Sequence, residues 1–365
     1  MNQKLERRDF LKLTGAAVLT ASVTGCLTAC GAQTKSSSEK IKVADSTVRE
    51  DAGTASVATK KVYVESEFAP LKRVVLTQSE ISMGSNGETL PEEAQAAWEQ
   101  ERNELQNVLK KYGVEVQRPR LLTDEEKKLG SVENGMTAGQ GVTNFFVRDP
   151  FFTIGEHMIE GGFNSPYRRL EVLPVRSILE KEAQESGCYY VALPQPDISS
   201  GLEDTKGPFL EGGDVLVYGK TVFVGNSGAA SNETGITWLR NYLGHFGYEV
   251  VEVKLEENIL HLDCALSLVR EGLMIVCEQA LPNGIPEQLK DWDKITVTYD
   301  QTQELATNGL PINESVYITD PAFKDVVGVE LEKRGITVEY VDFQISRQFG
   351  GAFRCSTQPL LRVNA

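Results

Sequence analysis

Histidine is scarce in this chain of 365 residues, which contains only His157, His245 and His261. A stable zinc site needs more nitrogen or thiolate ligands close together than three scattered histidines readily supply. The sequence also has no Gly-x-Ser-x-Gly elbow, no Gly-x-Gly-x-x-Gly fingerprint and no Walker loop. These absences argue against a serine hydrolase of that type and against the corresponding dinucleotide or phosphate sites. We therefore predict that the protein uses neither a metal nor another cofactor.

Basic residues are outnumbered, with 37 Lys and Arg against 52 Asp and Glu and a formal net charge of -15. Such a chain repels phosphate backbones, so nucleic acid is not an expected partner and a small cation is a better one. Charged residues make up 24% and hydrophobic residues 41%, as is typical of a globular protein. The length allows two domains, or one large domain built from repeats.

The N-terminal residues 1–30 resemble an export signal. Residues 7–12 read Arg-Arg-Asp-Phe-Leu-Lys, a twin-arginine pattern, and the apolar run at 13–23 is shorter than the roughly 20 residues that span a bilayer. Two lipobox-like segments follow, ending at Cys26 and Cys30. We predict lipidation of Cys30, with Cys26 or an uncleaved anchor as alternatives. Each alternative predicts an extracytoplasmic protein that contacts the cell membrane only through this anchor.

The chain after the signal divides into two parts. Residues 31–61 are rich in Ser, Thr, Lys and Ala without apolar periodicity, which predicts a flexible tether. Residues 62–365 carry the periodic pattern and are predicted to form one catalytic domain.

One local pattern recurs five times in residues 62–365: a helix, a polar or glycine turn, and a β-branched strand. The copies lie at 109–116, 179–193, 239–253, 285–299 and 331–341. The glycines fit left-handed turns at the helix ends. One or two further strands precede each copy, at 73–77, 144–154, 214–224, 265–276 and 315–319. The pattern predicts an α/β fold of five ββαβ units that close into a ring, with unit ends meeting at the centre.

Four short segments at these unit boundaries carry unusual residues. They are 144–150, predicted as a strand ending in a charged turn, then 209–216 with Glu-Gly-Gly-Asp, 261–263 with His-Leu-Asp, and 349–357 with Cys355. Each alone is typical of a turn or a strand end. Together they bring a cysteine, a histidine and several carboxylates to the predicted centre of the ring.

This combination suits attack on a planar, cationic carbon. A thiolate can act as the nucleophile and a histidine as the proton shuttle. Carboxylates can hold a guanidinium through paired hydrogen bonds, and the cation in turn compensates their burial. The same positive charge would favour the thiolate form of Cys355.

Over residues 67–362 the order of these motifs resembles the guanidino-group-modifying superfamily, which includes arginine deiminases, dimethylarginine hydrolases and amidinotransferases. The resemblance implies a five-bladed, pseudo-symmetric α/β propeller. It also implies that Cys355 is the nucleophile, His261 the general acid and base, and Glu211 its acidic partner. The residues that it assigns to substrate binding are Asp149, Asp263, Asp214, Arg168, Arg169 and Asn308.

Two departures from that family bear on the substrate. The loop at 225–236 lacks an arginine that often binds the substrate carboxylate, so free arginine is not favoured. The interval between 79 and 144 has room for one helix and one strand, which indicates the smaller, amidinotransferase-like architecture. We predict a hydrolase of the deiminase type. An amidinotransferase and a non-catalytic guanidine-binding lipoprotein are the alternatives.

The other cysteines of the mature chain are expected to be structural. Cys277 and Cys188 adjoin predicted buried strands and are typical of small core residues. Cys264 follows Asp263, and strand alternation predicts that it faces away from His261 and Asp263.

Overall fold

Five three-stranded sheets form the protein in the computed structural model, which describes residues 61–81, 89–129, 144–197, 199 and 206–363. In every sheet the central strand pairs antiparallel with one neighbour and parallel with the other. The five-unit α/β architecture expected from the sequence is therefore confirmed. The export signal and nearly all of the tether, residues 1–60, lie outside the described residues.

The strands follow one another around the ring in chain order, except at its closure. The sheets are β15-β1-β2, β3-β4-β5, β6-β7-β8, β11-β10-β9 and β12-β13-β14. Their bounds are β1 Leu71–Leu76, β2 Glu115–Gln117, β3 Phe151–Ile154, β4 His157–Glu160, β5 Tyr189–Ala192, β6 Val215–Tyr218, β7 Thr221–Asn226, β8 Glu249–Lys254, β9 Leu266–Arg270, β10 Leu273–Val276, β11 Asp293–Thr296, β12 Leu310–Asn313, β13 Val316–Thr319, β14 Thr337–Tyr340 and β15 Thr357–Arg362.

The last strand closes the ring by joining the first blade. β15 pairs antiparallel with β1, and Leu76 lies opposite Thr357. The sequence pattern predicts only a single strand before the first helix. It does not predict that the last strand of the chain pairs with this strand. The pairing fixes Cys355 in the turn that leads directly into β15.

The α-helices are α1 Glu92–Lys111, α2 Asp124–Leu129, α3 Leu173–Ser186, α4 Glu233–Gly244, α5 Tyr299–Gln303, α6 Val329–Lys333 and α7 Gln344–Gln348. The predicted left-handed glycines are confirmed, because Gly113, Gly187, Gly247 and Gly335 have φ between 66° and 76°. The helix expected at 285–293 is wrong. Only the three-residue 3-10 turn Glu287–Leu289 forms there, directly after Pro286.

Mostly apolar residues fill the interior of the blades. All four residues of β3, β4, β10 and β13 are buried. Cys277 is fully buried, as expected of a core residue, and Cys188 is half-buried against the cluster around Leu179. Among the described residues, no helix combines the length and the apolarity needed to cross a membrane.

Five short turns place polar residues at one end of the ring, each just before the first strand of a blade or before the closing strand. Asp149 precedes β3, Glu211 precedes β6, His261 precedes β9, Asn308 precedes β12 and Cys355 precedes β15. The segment 144–150 is a set of turns, so its prediction as a strand is wrong. This repeated position is how the fold collects residues from distant parts of the sequence.

Candidate active site

His261 lies between two buried carboxylates. Its Nε2 is 3.0 Å from Oε2 of Glu211, and its Nδ1 is 3.8 Å from Oδ1 of Asp149. Burial would lower the His261 pKa, but the charge of Asp149 and the Glu211 hydrogen bond outweigh it and raise the pKa to about 10. Asp214 adds to the same effect. His261 is therefore an imidazolium at neutral pH.

The paired glycines of Glu-Gly-Gly-Asp make this approach possible. A Cβ on Gly213 would lie 2.7 Å from the His261 ring and 2.8 Å from Oδ1 of Asp149. A Cβ on Gly212 would lie 2.0 Å from the Arg148 carbonyl oxygen. The chain can pass this close to the His261 ring at Gly213, and to the Arg148 carbonyl at Gly212, only because neither position has a side chain.

Cys355 lies against the carboxylate of Asp263. Its thiol donates to Oδ2 of Asp263 at 3.6 Å, and its backbone N–H donates to Oδ1 of Asn308 at 3.2 Å. Nδ2 of Asn308 in turn donates to the Asp263 carbonyl at 3.4 Å. Burial, with the charge of Asp263, raises the pKa of the Cys355 thiol well above its ordinary value. Both effects favour the neutral thiol in this conformation.

Cys264 also contacts Asp263, contrary to the expectation that it faces away. Its thiol donates to Oδ1 of Asp263 at 3.7 Å, so the two cysteines bind the two oxygens of one carboxylate. The prediction is wrong because Leu262–Cys264 form a 3-10 turn, in which the two-residue alternation of a strand does not apply.

Asp214 is engaged by the backbone. Its Oδ1 accepts from the N–H of Leu262 at 2.9 Å and its Oδ2 from the N–H of Ser231 at 3.2 Å. Burial raises the Asp214 pKa to about 7. Asp214 thus joins the segments at Leu262 and Ser231, and its assignment to substrate binding stays a prediction.

The two arginines assigned to substrate binding are engaged by other groups of the chain. Arg168 donates to Asp149 at 2.8 Å, to Glu211 at 3.0 Å and to both oxygens of Glu171 at 2.9 Å. Arg169 donates to the backbone carbonyls of residues 163 and 164, both at 3.2 Å. Both guanidinium groups therefore have hydrogen-bond partners within the chain, and their assignment to substrate binding stays a prediction.

Two buried residues near the cysteine segment, Arg354 and its partner Glu67, were not predicted from the sequence. Arg354 donates to Oδ2 of Asp263 at 3.0 Å and to both oxygens of Glu67 at 3.1 Å. The position of Arg354 directly before Cys355 is a signal that could have found it. Glu67 carries no such signal, since it lies in an irregular segment far away in sequence.

Three ligand atoms, from Asp149, Glu211 and His261, lie within 4.8 Å of one another and could geometrically hold a metal ion. The raised His261 pKa and the cation of Arg168 oppose this at neutral pH, because a metal ligand must be a deprotonated imidazole. The expectation that the protein needs no metal stays a prediction.

Comparisons with known proteins agree with the class that the fold and these side chains define, the guanidino-group-modifying superfamily. Residues 85–362 match the model of the family described as N,N dimethylarginine dimethylhydrolase, eukaryotic. The match covers well over half of the sequence, and the chain belongs to this family. It is accordingly an amidino-group hydrolase or an amidinotransferase.

Among the similar proteins are amidinotransferases and a protein named as uncharacterized. Uncharacterized protein YkgA of Bacillus subtilis is 31% identical over 60% of this chain and 69% of its own. Inosamine-phosphate amidinotransferase 1 of Streptomyces glaucescens is 25% identical over 73% of this chain and 81% of its own. The structure of SxtG, an amidinotransferase from Microseira wollei, superposes with a TM-score of 0.71 at 22% identity, covering 84% of this chain and 98% of that one.

Proposed function

We propose that the protein is an extracytoplasmic thiol hydrolase of the deiminase type, which acts on an arginine-like guanidino compound through a covalent intermediate on Cys355. One observation carries the proposal: a buried thiol, an imidazolium held by Glu211, and the carboxylates of Asp149 and Asp263 lie at one end of the ring. A binding protein would need the carboxylates but not the nucleophile.

The substrate cation would complete the electrostatics of the site. Asp149 and Asp263 would accept hydrogen bonds from the guanidinium, which places its carbon near the Cys355 thiol. The positive charge offsets Asp263, one cause of the raised Cys355 pKa, so the thiol loses its proton to solvent as substrate binds. The free enzyme would thus keep its nucleophile protonated.

The resulting thiolate would attack the guanidinium carbon to form a tetrahedral intermediate. His261 would donate its proton to the leaving amine as the C–N bond breaks, leaving an amidino group bonded to sulfur. The now neutral imidazole would take a proton from water as that water attacks the same carbon. Collapse would break the C–S bond, release the ureido product and restore the thiol. Glu211 would hold the imidazole in position throughout.

Hydrolysis is favoured over transfer because water is always present outside the cell, whereas acceptor amines are dilute. The alternative reaction, transfer of the amidino group to an amine, would use the same residues. The similarity to an amidinotransferase supports keeping that alternative.

The preferred substrate would lack a free α-carboxylate or carry it in modified form. The loop at 225–236 has no arginine, and Arg168 and Arg169 are already bound by carboxylates and backbone carbonyls. Agmatine fits this description better than arginine does.

The test is a product assay on the purified chain. Arginine, agmatine, methylated arginines and guanidinoacetate are each incubated with the protein, with and without glycine as acceptor amine, and followed by mass spectrometry. A ureido product without glycine supports the hydrolase. An amidino-glycine product formed only with glycine identifies an amidinotransferase, and binding without any product identifies a non-catalytic protein.

A further inference from the structure

A fully buried arginine on α1 lies beside the segment that carries the cysteine. The guanidinium of Arg102 is stacked between two aromatic rings, with its carbon 4.7 Å from the centroid of Trp98 and 4.2 Å from that of Phe343. Arginine stacks well on aromatic faces, and here the rings fix the plane of its donors. The direction of its hydrogen bonds is therefore set by packing.

Those hydrogen bonds go to serines at both ends of the segment 346–356. Nη1 of Arg102 donates to the hydroxyl of Ser356 at 2.7 Å, and Nη2 donates to the hydroxyl of Ser346. Ser356 directly follows Cys355 and directly precedes β15. One rigid side chain thus joins the beginning and the end of the loop that contains the nucleophile.

The neighbouring Glu101 binds the first turn of α7, where this segment begins. Its carboxylate accepts from the backbone N–H groups of Ile345 at 2.6 Å and Ser346 at 3.1 Å, and from the Ser346 hydroxyl at 2.5 Å. Glu101 is also the carboxylate near Arg102, with Oε2 3.8 Å from Nη2. α1 therefore contacts the loop through a connected acid–base pair.

Burying the charged groups of Arg102 and Glu101 costs folding free energy, so a contribution to stability does not by itself explain them. Burial lowers the Arg102 pKa to about 9 and raises that of Glu101, and within the described residues the Arg102 Nε has no hydrogen-bond partner. Apolar residues of similar volume would fill the space between two rings at lower cost. The polar contacts are better explained by what they hold in place.

We propose that Arg102 is a positioning residue for Cys355, acting through the Ser356 hydroxyl to hold the thiol against Asp263. The proposal rests on the proposed role of Cys355 as nucleophile. Arg102 does not touch the reacting atoms. Cys355 is held at its backbone N–H by Asn308 and, one residue later, at the Ser356 side chain by Arg102.

The experiment compares Arg102→Lys, Ser356→Ala and the double variant with the wild type. The control is Arg73→Lys, which alters a largely buried arginine on β1 whose partner, Glu182, lies on α3 of the next blade. The pH dependence of Cys355 alkylation by iodoacetamide is measured by peptide mass spectrometry, without substrate. Steady-state kcat and KM are then measured on the compound that the wild type converts.

Both single variants are expected to shift the alkylation midpoint of Cys355 down, toward the ordinary thiol value of about 8.5. They should lower kcat at least about tenfold while KM changes little, because the defect lies in the direction of the thiol. The double variant should be no worse than the more severe single one, since both remove the same hydrogen bond. Arg73→Lys should retain the wild-type midpoint.

Two results would overturn the proposal. One is an alkylation midpoint and kcat that match the control in both variants. The other is a loss confined to thermal stability, with the folded fraction alkylated and active like the wild type. If no guanidino compound is converted by the wild type, the proposed function fails, but the alkylation profile still decides whether Arg102 positions the thiol.

Discussion

Arg168 and Asp149 form an ion pair, with Nη2 of the arginine 2.8 Å from Oδ2 of the aspartate. The Arg168 guanidinium therefore already binds one oxygen of Asp149, the carboxylate that is proposed to bind the substrate guanidinium. The other oxygen of Asp149 accepts from the N–H of Gly213 at 3.1 Å and faces His261. Arg168 also binds Glu211, so one cation orders both acids that flank the histidine.

Arg168→Lys tests this ordering. Lysine retains the charge but cannot make the directional, multiple hydrogen bonds to Asp149, Glu171 and Glu211. We expect kcat/KM to fall by about tenfold or more, which corresponds to about 1.4 kcal/mol of lost transition-state stabilisation. Arg176→Lys, at a half-exposed ion pair with Glu160, is the control and should retain activity. Equal activity of both variants would contradict the ordering role.

Substrate choice follows from the occupied arginines. Agmatine is expected to have a kcat/KM at least equal to that of arginine. Arg168 and Arg169 already have hydrogen-bond partners within the chain, and the loop at 225–236 contains no arginine that could bind a substrate carboxylate. Steady-state kinetics with both compounds at the same pH measure this. A strong preference for free arginine would show that one of these groups moves to bind the carboxylate.

The His261 pKa predicts how stability depends on pH. Its folded value, about 10, lies above its ordinary value of 6.5, so its stabilising contribution is complete below about pH 6.5 and declines as the pH rises toward 10. The free energy of unfolding should therefore fall between pH 7 and 9. Burial also raises the pKa values of Asp214 and Glu171, but only to about 7, so they add little slope in that window.

His261→Gln should flatten this pH dependence and lower kcat by roughly 10²–10⁴-fold, the usual contribution of a general acid or base. Urea denaturation of both proteins at several pH values provides the comparison. His245→Gln is the control, since His245 lies at the end of α4 outside the site. A wild-type stability that is constant from pH 7 to 9 would contradict the imidazolium assignment.

Export and lipidation form a separate prediction about the N-terminal residues. In a host with twin-arginine export, the mature chain should begin at Cys30 and carry a lipid, and Cys30→Ala should prevent its release from the signal and its anchoring. Mass spectrometry of the N-terminal peptide, with Cys26→Ala as the matched variant, distinguishes the two cysteines. An intact N-terminus on cytoplasmic protein would contradict the proposal.

The sequence was informative where local rules decide the structure. Left-handed turns at Gly113 and Gly187 are recognisable because a helix end with a glycine is a local pattern. The motif at 349–357 likewise led to the prediction of Cys355 as the nucleophile from its immediate neighbours. Five repeats of such a pattern were enough to predict the ring.

Features that depend on partners far away in sequence could not be predicted. The pairing of β15 with β1 joins the two ends of the domain, and nothing within either strand specifies that partner. The contact of Arg354 with Glu67 is of the same kind. Cys264 was placed on the wrong side because the strand period was extended into a 3-10 turn.

The most direct test of the central claim is to trap the covalent intermediate. A guanidino compound that is turned over is mixed with the protein, the reaction is quenched in acid within one turnover, and the intact and peptide masses are measured. We expect an amidino adduct on Cys355, and a Cys355→Ser variant that binds the compound yet loses about 10³-fold or more of its kcat. Cys188→Ser should behave as the wild type. Turnover retained by Cys355→Ser, or an adduct on another residue, would contradict the central claim.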